Sequence, residues 1–113
     1  MAATTLIRTC LLWSVALCGL PAAAGPVLER IQANGAIVIA HRESSVPFSY
    51  VTPDRKPVGY AVDLCLRIAE AVKRSLGEPR LRVEFLLVTP ANRIDAIANG
   101  QVDLECGSTT NNA

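Results

Sequence analysis

With 113 residues, half of them apolar, 4% aromatic and a formal charge of +1, the chain has the composition of one small globular domain or part of one, not of a disordered segment. A near-neutral balance without a Lys/Arg stripe excludes nucleic acid as a partner, because phosphate binding needs a concentrated positive surface. Two distant cysteines beyond the leader and the single His41 lack zinc-ligand spacing, so neither a metal nor another cofactor is expected.

Residues 1–24 have the pattern of a secretory signal. Arg8 supplies the positive end, Cys10 to Leu20 the apolar stretch, and Pro21-Ala22-Ala23-Ala24 a small-residue cleavage site before Gly25. A transmembrane helix needs about 20 apolar residues, and Pro21 interrupts this run. Leu17 before Cys18 argues against lipidation, which prefers a small residue there. The expected product is an exported, periplasmic domain of residues 25–113 that retains Cys65 and Cys106 in a compartment where disulfides persist.

Pro26 to Gln32 reads as a short lead-in helix ended by Asn34-Gly35. Ala36-Ile37-Val38-Ile39-Ala40 is a small and β-branched run, the pattern of a central parallel strand buried on both faces. Val46 to Val51 reads as an edge or irregular strand because Pro47 cannot donate a ladder bond, and Pro53 to Pro57 as a solvated turn. From Ala61 to Leu76 the positions Val62, Cys65, Ala69, Val72 and Leu76 follow helical spacing, with Leu64, Leu66 and Ile68 widening the stripe. Gly77 then serves as C-cap and Pro79 prevents resumption.

Leu81 to Val88 reads as a second core strand. Thr89 follows as an N-cap with Pro90 in the first helical position, where its missing N–H costs nothing. Ile94, Ile97 and Ala98 form the expected buried face of this short helix, and Val102 to Cys106 the third core strand. Strand, helix, strand, helix, strand predicts an α/β unit with right-handed crossovers and a parallel sheet. Ligands in such sheets bind beyond the carboxyl ends of the strands. Three polar clusters lie there: His41-Arg42, Thr89 to Arg93, and Gly107 to Asn112.

Arg93 falls in the first turn of its helix, where the macrodipole disfavours a cation by about 0.3–1 kcal/mol. A bound carboxylate would meet both the guanidinium and free helix N–H groups; a salt bridge to Glu43, Glu105 or another acid, or plain exposure, is the competing use. Arg42 has the same two uses, with Glu43 beside it. His41 has no accompanying nucleophile and reads as structural. Alternation alone leaves the direction of Glu105 open, and Phe48, Tyr50 and Tyr60 are expected chiefly to fill core. Cys65 and Cys106 occupy apolar positions of a helix and a strand in one unit, which predicts their pairing. The rival is Cys106 bonded to a cysteine outside this sequence.

His41 to Tyr50, Val58-Gly59-Tyr60 with Asp63-Leu64, Asn92-Arg93-Ile94, and Glu105-Cys106-Gly107-Ser108-Thr109-Thr110-Asn111-Asn112 together resemble the opening of the glutamate/aspartate receptors among the periplasmic solute-binding proteins, family 3. The likeness runs from about Leu28 to the last residue. It implies one parallel-sheet lobe of a two-lobed fold that closes on an amino acid delivered to ABC-transporter membrane subunits, and no catalysis. By that resemblance Arg93 would hold the α-carboxylate of glutamate or aspartate and Arg42 its side-chain carboxylate, while Ser108 and Thr110 would bond its polar groups. Pro90 departs from the pattern, which has a ligand-contacting serine there. The family's hinge, second lobe and returning segment have no counterpart, so residues 25–113 correspond to the N-terminal part of lobe one, not expected to work as a receptor alone. The same fold also serves periplasmic dehydratases, the regulatory part of lytic transglycosylases, and sensor domains.

Overall fold

The computed structural model describes residues 25–110; the leader and its cleavage site, and Asn111 and Asn112, lie outside the described residues. Helix α1 (Pro26–Asn34) begins with Pro at its first position and ends at Gly35, a left-handed residue whose N–H donates to Ile31 O. It leads into β1 (Ala36–His41), in which every residue except Val38 is buried. Helix α2 (Tyr60–Leu76) buries Val62, Cys65 and Ala69 and ends at Gly77, again left-handed. Strand β5 (Arg82–Leu87), helix α3 (Arg93–Ala98) and strand β6 (Leu104–Cys106) complete the unit.

The sheet order is β5-β1-β6, with both pairings parallel, so β1 is central as its composition predicts. Ile37 and Ile39 point from β1 toward α1 and α2, where they pack with Ile31, Cys65, Ala69, Leu81 and Cys106. Ala40 points the other way and packs with Val88, Ala96 and Val102. Cys65 and Cys106 are disulfide-bonded with Cα atoms 6.3 Å apart, which meets the distance limit for such a bond and decides between the two expected pairings.

Several expectations are corrected. Leu64, Leu66 and Ile68 do not widen the buried stripe of α2; they are 43%, 36% and 45% exposed, because no described element covers that side of the helix. Strand β5 is an edge of the described sheet, and Phe85, Leu86 and Leu87 are partly exposed on both of its faces. In α3 it is Ala96, not Ile94, Ile97 or Ala98, that meets the sheet, packing with Val88 and Val102, while the other three are exposed.

The segment between β1 and α2 is more ordered than its prolines suggest. Strands β2 (Ser44–Ser45), β3 (Ser49–Val51) and β4 (Pro57–Val58) form a small antiparallel sheet. Val46, Pro47 and Phe48 make the turn between the first two, with Pro47 following a cis peptide bond. Pro57 thus belongs to a strand, not to the turn. This turn is bound to the start of α2: Tyr60 N–H donates to Pro47 O at 3.0 Å and Ala61 N–H to Phe48 O at 2.8 Å, satisfying two donors that a helix start leaves open. Gly59 lies between them at φ 129°, and a Cβ there would collide with the Phe48 carbonyl. Phe48 and Tyr60 are left 43% and 64% exposed, so they do not fill core as expected.

Candidate functional site

Parallel pairing in the order β5-β1-β6 sets the carboxyl ends of three strands side by side. The three polar clusters therefore emerge from neighbouring strand ends. Val88 N–H donates to His41 O at 2.9 Å, carrying the β1–β5 pairing one step past the strands and holding the first two clusters together.

Arg42 leaves β1 with its backbone N–H donating to the Oγ of Ser49 at 2.9 Å. Ser49 is fully buried, so the small antiparallel sheet determines how the chain turns after β1. The aliphatic stem of Arg42 runs beside Gly107, where a Cβ would lie 3.0 Å from its Cγ. His41 is buried, with its ring edge-on to Phe85 and Nδ1 3.3 Å from the Arg42 carbonyl. This is a structural placement, as its position at a strand end suggests.

Between β5 and α3 the chain makes a reciprocal turn. Thr89 N–H donates to Asn92 Oδ1 at 2.8 Å, and Asn92 N–H to Thr89 Oγ1 at 3.3 Å. The Arg93 N–H also donates to Thr89 O at 3.1 Å. Thr89 and Asn92 thus tie a turn reciprocally, and the expected helix start is corrected: Pro90 lies in that turn, the N-cap is Asn92 and not Thr89, and the helix begins only at Arg93. Arg93 thus stands at the helix start as the sequence predicts, half-buried, with an Nε that is buried and has no hydrogen-bond partner.

Ion pairs among the described residues join Arg30 to Asp103, Lys73 to Glu70 and Arg82 to Glu84. Neither Arg42 nor Arg93 is in one, so the salt bridge to Glu43 or Glu105 is not realised among the described residues. An arginine with no carboxylate at a strand end keeps its planar donor fork for an anion. Between the first two clusters lies a cavity of ≈ 120 Å³, lined by residues 42–44 and 87–90. Roomier depressions of ≈ 240 and ≈ 380 Å³ run along α2. They are open grooves on a charged helix surface, remote from the strand ends, and we set them aside as ligand sites for that reason.

Ser108 is exposed, and its hydroxyl is hydrogen-bonded to that of Ser45 at 3.0 Å; Thr110 is exposed, with no hydrogen bond among the described residues. Ser45, Ser49 and Asn92 were not singled out from the sequence. Their roles depend on hydroxyls and an amide meeting across the fold, and the only local sign was the Thr-x-x-Asn spacing. Asp103 was likewise read as an ordinary strand residue. Its Oδ1 accepts from Arg30 Nε and Nη2 at 3.1 and 2.7 Å, and its Oδ2 from the Val38 N–H at 2.9 Å, tying α1, β1 and the entry to β6 at one carboxylate.

The family model described as bacterial extracellular solute-binding proteins, family 3, matches residues 37–113. The chain is 53% identical over 90 residues to the glutamate/aspartate import solute-binding protein of Escherichia coli (strain K12), covering 80% of this chain and 30% of that one. It is 51% identical over 86 residues to the L-glutamate/L-aspartate-binding protein of Pseudomonas aeruginosa, covering 75% of this chain and 28% of that one. Among solved structures, an ancestral cyclohexadienyl dehydratase superposes with a TM-score of 0.65 at 23% identity, over 80% of this chain and 34% of that one. At that identity the superposition speaks for the fold alone.

Proposed function

The chain belongs to family 3 of the bacterial extracellular solute-binding proteins, and from that premise we propose that it forms the amino-acid-capturing part of a receptor for glutamate or aspartate, exported to the periplasm and serving an ABC transporter's membrane subunits. The observation that carries this reading is the pair of arginines, Arg42 and Arg93, at adjoining strand ends with no carboxylate partner among the described residues. An acidic amino acid brings two carboxylates, and two guanidinium forks answer them. Arg93, with the free N–H groups of its helix start, takes the α-carboxylate. Arg42 takes the side-chain carboxylate, and the hydroxyls of Ser108 and Thr110 bond the ligand's remaining polar groups.

The chain spans about 30% of the length of the curated relatives it matches. A site with one wall leaves ligand and arginines in water, where an ion pair contributes only about 0–1 kcal/mol. The chain alone therefore binds glutamate no more tightly than about millimolar. Joining residues 25–113 to the remainder of the Escherichia coli relative encloses the site and makes the assignment measurable by titration calorimetry. In that chimera Arg93→Ala removes binding of glutamate and glutamine alike. Arg42→Ala costs glutamate about 3–5 kcal/mol and glutamine far less. Equal losses for the two ligands in Arg42→Ala would show that the arginines are assigned wrongly. Export is read from the mature N-terminus, expected at Gly25.

A further inference from the structure

Residues 107–110 carry two of the hydroxyls proposed to meet the ligand, yet they form no regular secondary structure. What holds them is visible in the register of β6. Leu104 and Cys106 face α2, the first packed against that core and the second bonded to Cys65. Glu105, paired with Ala40, therefore takes the opposite face of the sheet. Its carboxylate does not extend into solvent. Oε2 accepts from the Thr109 hydroxyl at 2.8 Å, while Oε1 is buried and has no hydrogen-bond partner. Oε1 also fills the space beneath Gly107, where a Cβ would lie 2.5 Å from it and 3.0 Å from Arg42 Cγ. The backbone at Gly107 thus packs against both the Glu105 carboxylate and the stem of Arg42, and a side chain there would have to displace them.

We propose that Glu105 is the positioning residue of this loop: its carboxylate folds the chain after β6 over itself through Thr109, and so sets where the hydroxyls of Ser108 and Thr110 stand relative to Arg42. A carboxylate oxygen buried without a donor is costly, and packing alone would place an apolar side chain here. A polar acceptor at this position is explained when one oxygen organises the loop. The bond from Ser108 to Ser45 fastens the loop to the small antiparallel sheet at a second point. With its other oxygen covered, Glu105 acts through the loop and does not touch the ligand.

This inference rests on the ligand reading above for its effect on affinity, but not for its effect on the loop, so the two are measured separately: the loop in the chain itself, and affinity in the chimera with the Escherichia coli remainder. In the free protein, amide exchange at Ser108, Thr109 and Thr110 is followed by NMR for the wild type, Glu105→Ala, Glu105→Gln and Thr109→Val. Exchange is expected to quicken by about ten-fold in Glu105→Ala and Thr109→Val and to stay near wild type in Glu105→Gln, whose amide oxygen can still accept from Thr109. Titration with glutamate and with glutarate, which lacks the amine, is expected to show both ligands weakened in step by Glu105→Ala and by Thr109→Val. Glu105→Gln is expected to restore binding to within about two-fold. Loss of glutamate affinity alone, with glutarate unaffected, would mean that Glu105 contacts the amine directly and would overturn the proposal. So would loop exchange unchanged in Glu105→Ala, or failure of Glu105→Gln to restore it. Should the wild-type chimera bind neither ligand, the receptor reading fails while loop exchange in the chain itself still decides the role of Glu105. Thr109→Val changes only an exposed loop residue and keeps the test open if Glu105→Ala does not fold.

Discussion

On the face of the sheet covered by α1 and α2, Ile31, Ile37, Ile39, Ala69 and Leu81 close around a disulfide. On the face covered by α3 the buried cluster among the described residues is Ala40, Val88, Ala96 and Val102, and Ile94 and Ile97 of that helix are 59% and 40% exposed. The first face has long helices and branched side chains; the second has six helical residues and small ones. Both arginines proposed to hold the ligand emerge at strand ends, and Arg93 rides on the sparsely packed side. The difference teaches that cover is unequal between the two faces: branched side chains and a disulfide close the first, and among the described residues small side chains alone close the second.

The largest expected effect comes from opening the staple. Replacing Cys65 and Cys106 by Ser removes a cross-link across a sequence separation of 41 residues, a loss of about 4 kcal/mol by the chain-entropy model. Urea denaturation should show it as a lower midpoint, and an unchanged midpoint would mean that the α2 face does not carry the stability assigned to it. Asp103→Ala strips partners from Arg30 and from the Val38 N–H together. The expected cost is about 2–3 kcal/mol, and Asp103→Asn should recover part of it because the amide oxygen still accepts.

Gly59→Ala tests the link between the small antiparallel sheet and α2. A side chain there meets the Phe48 carbonyl at a backbone φ of 129°, for an expected cost of about 1–3 kcal/mol. Because that sheet holds Ser49 and Ser45 against Arg42 and Ser108, NMR shifts at Arg42 and Ser108 should accompany the loss. The smallest effect is expected for Ile97→Ser on the thin face, within about 0.5 kcal/mol. A cost above about 1 kcal/mol would show that the outer side of α3 is covered, and the contrast between the faces would have to be redrawn.

The sequence by itself determined the elements whose cause is local. The run from Ala36 to Ala40, the helical spacing from Val62 to Leu76 and the glycine at 77 each specify their conformation within a few residues. With right-handed crossovers they imply the parallel sheet with β1 inside. The strand ends follow from that sheet, which is why three polar clusters could be placed there from the pattern, whereas singling out Arg42, Arg93, Ser108 and Thr110 within them took the family resemblance. What the tertiary structure decided is which apolar residues find cover and which polar groups find partners. Leu64, Ile68, Phe85 and Ile94 obey the pattern of buried residues but meet no covering layer among the described residues. Asp103 and Arg30 are 73 positions apart, and Ser45 and Ser108 are 63 apart; neither pair leaves a periodic trace. Alternation places Glu105 on one of two faces but not on a particular one, because a period of two has no sign. The bond from Cys106 to α2 supplied the sign, and turned Glu105 beneath the loop.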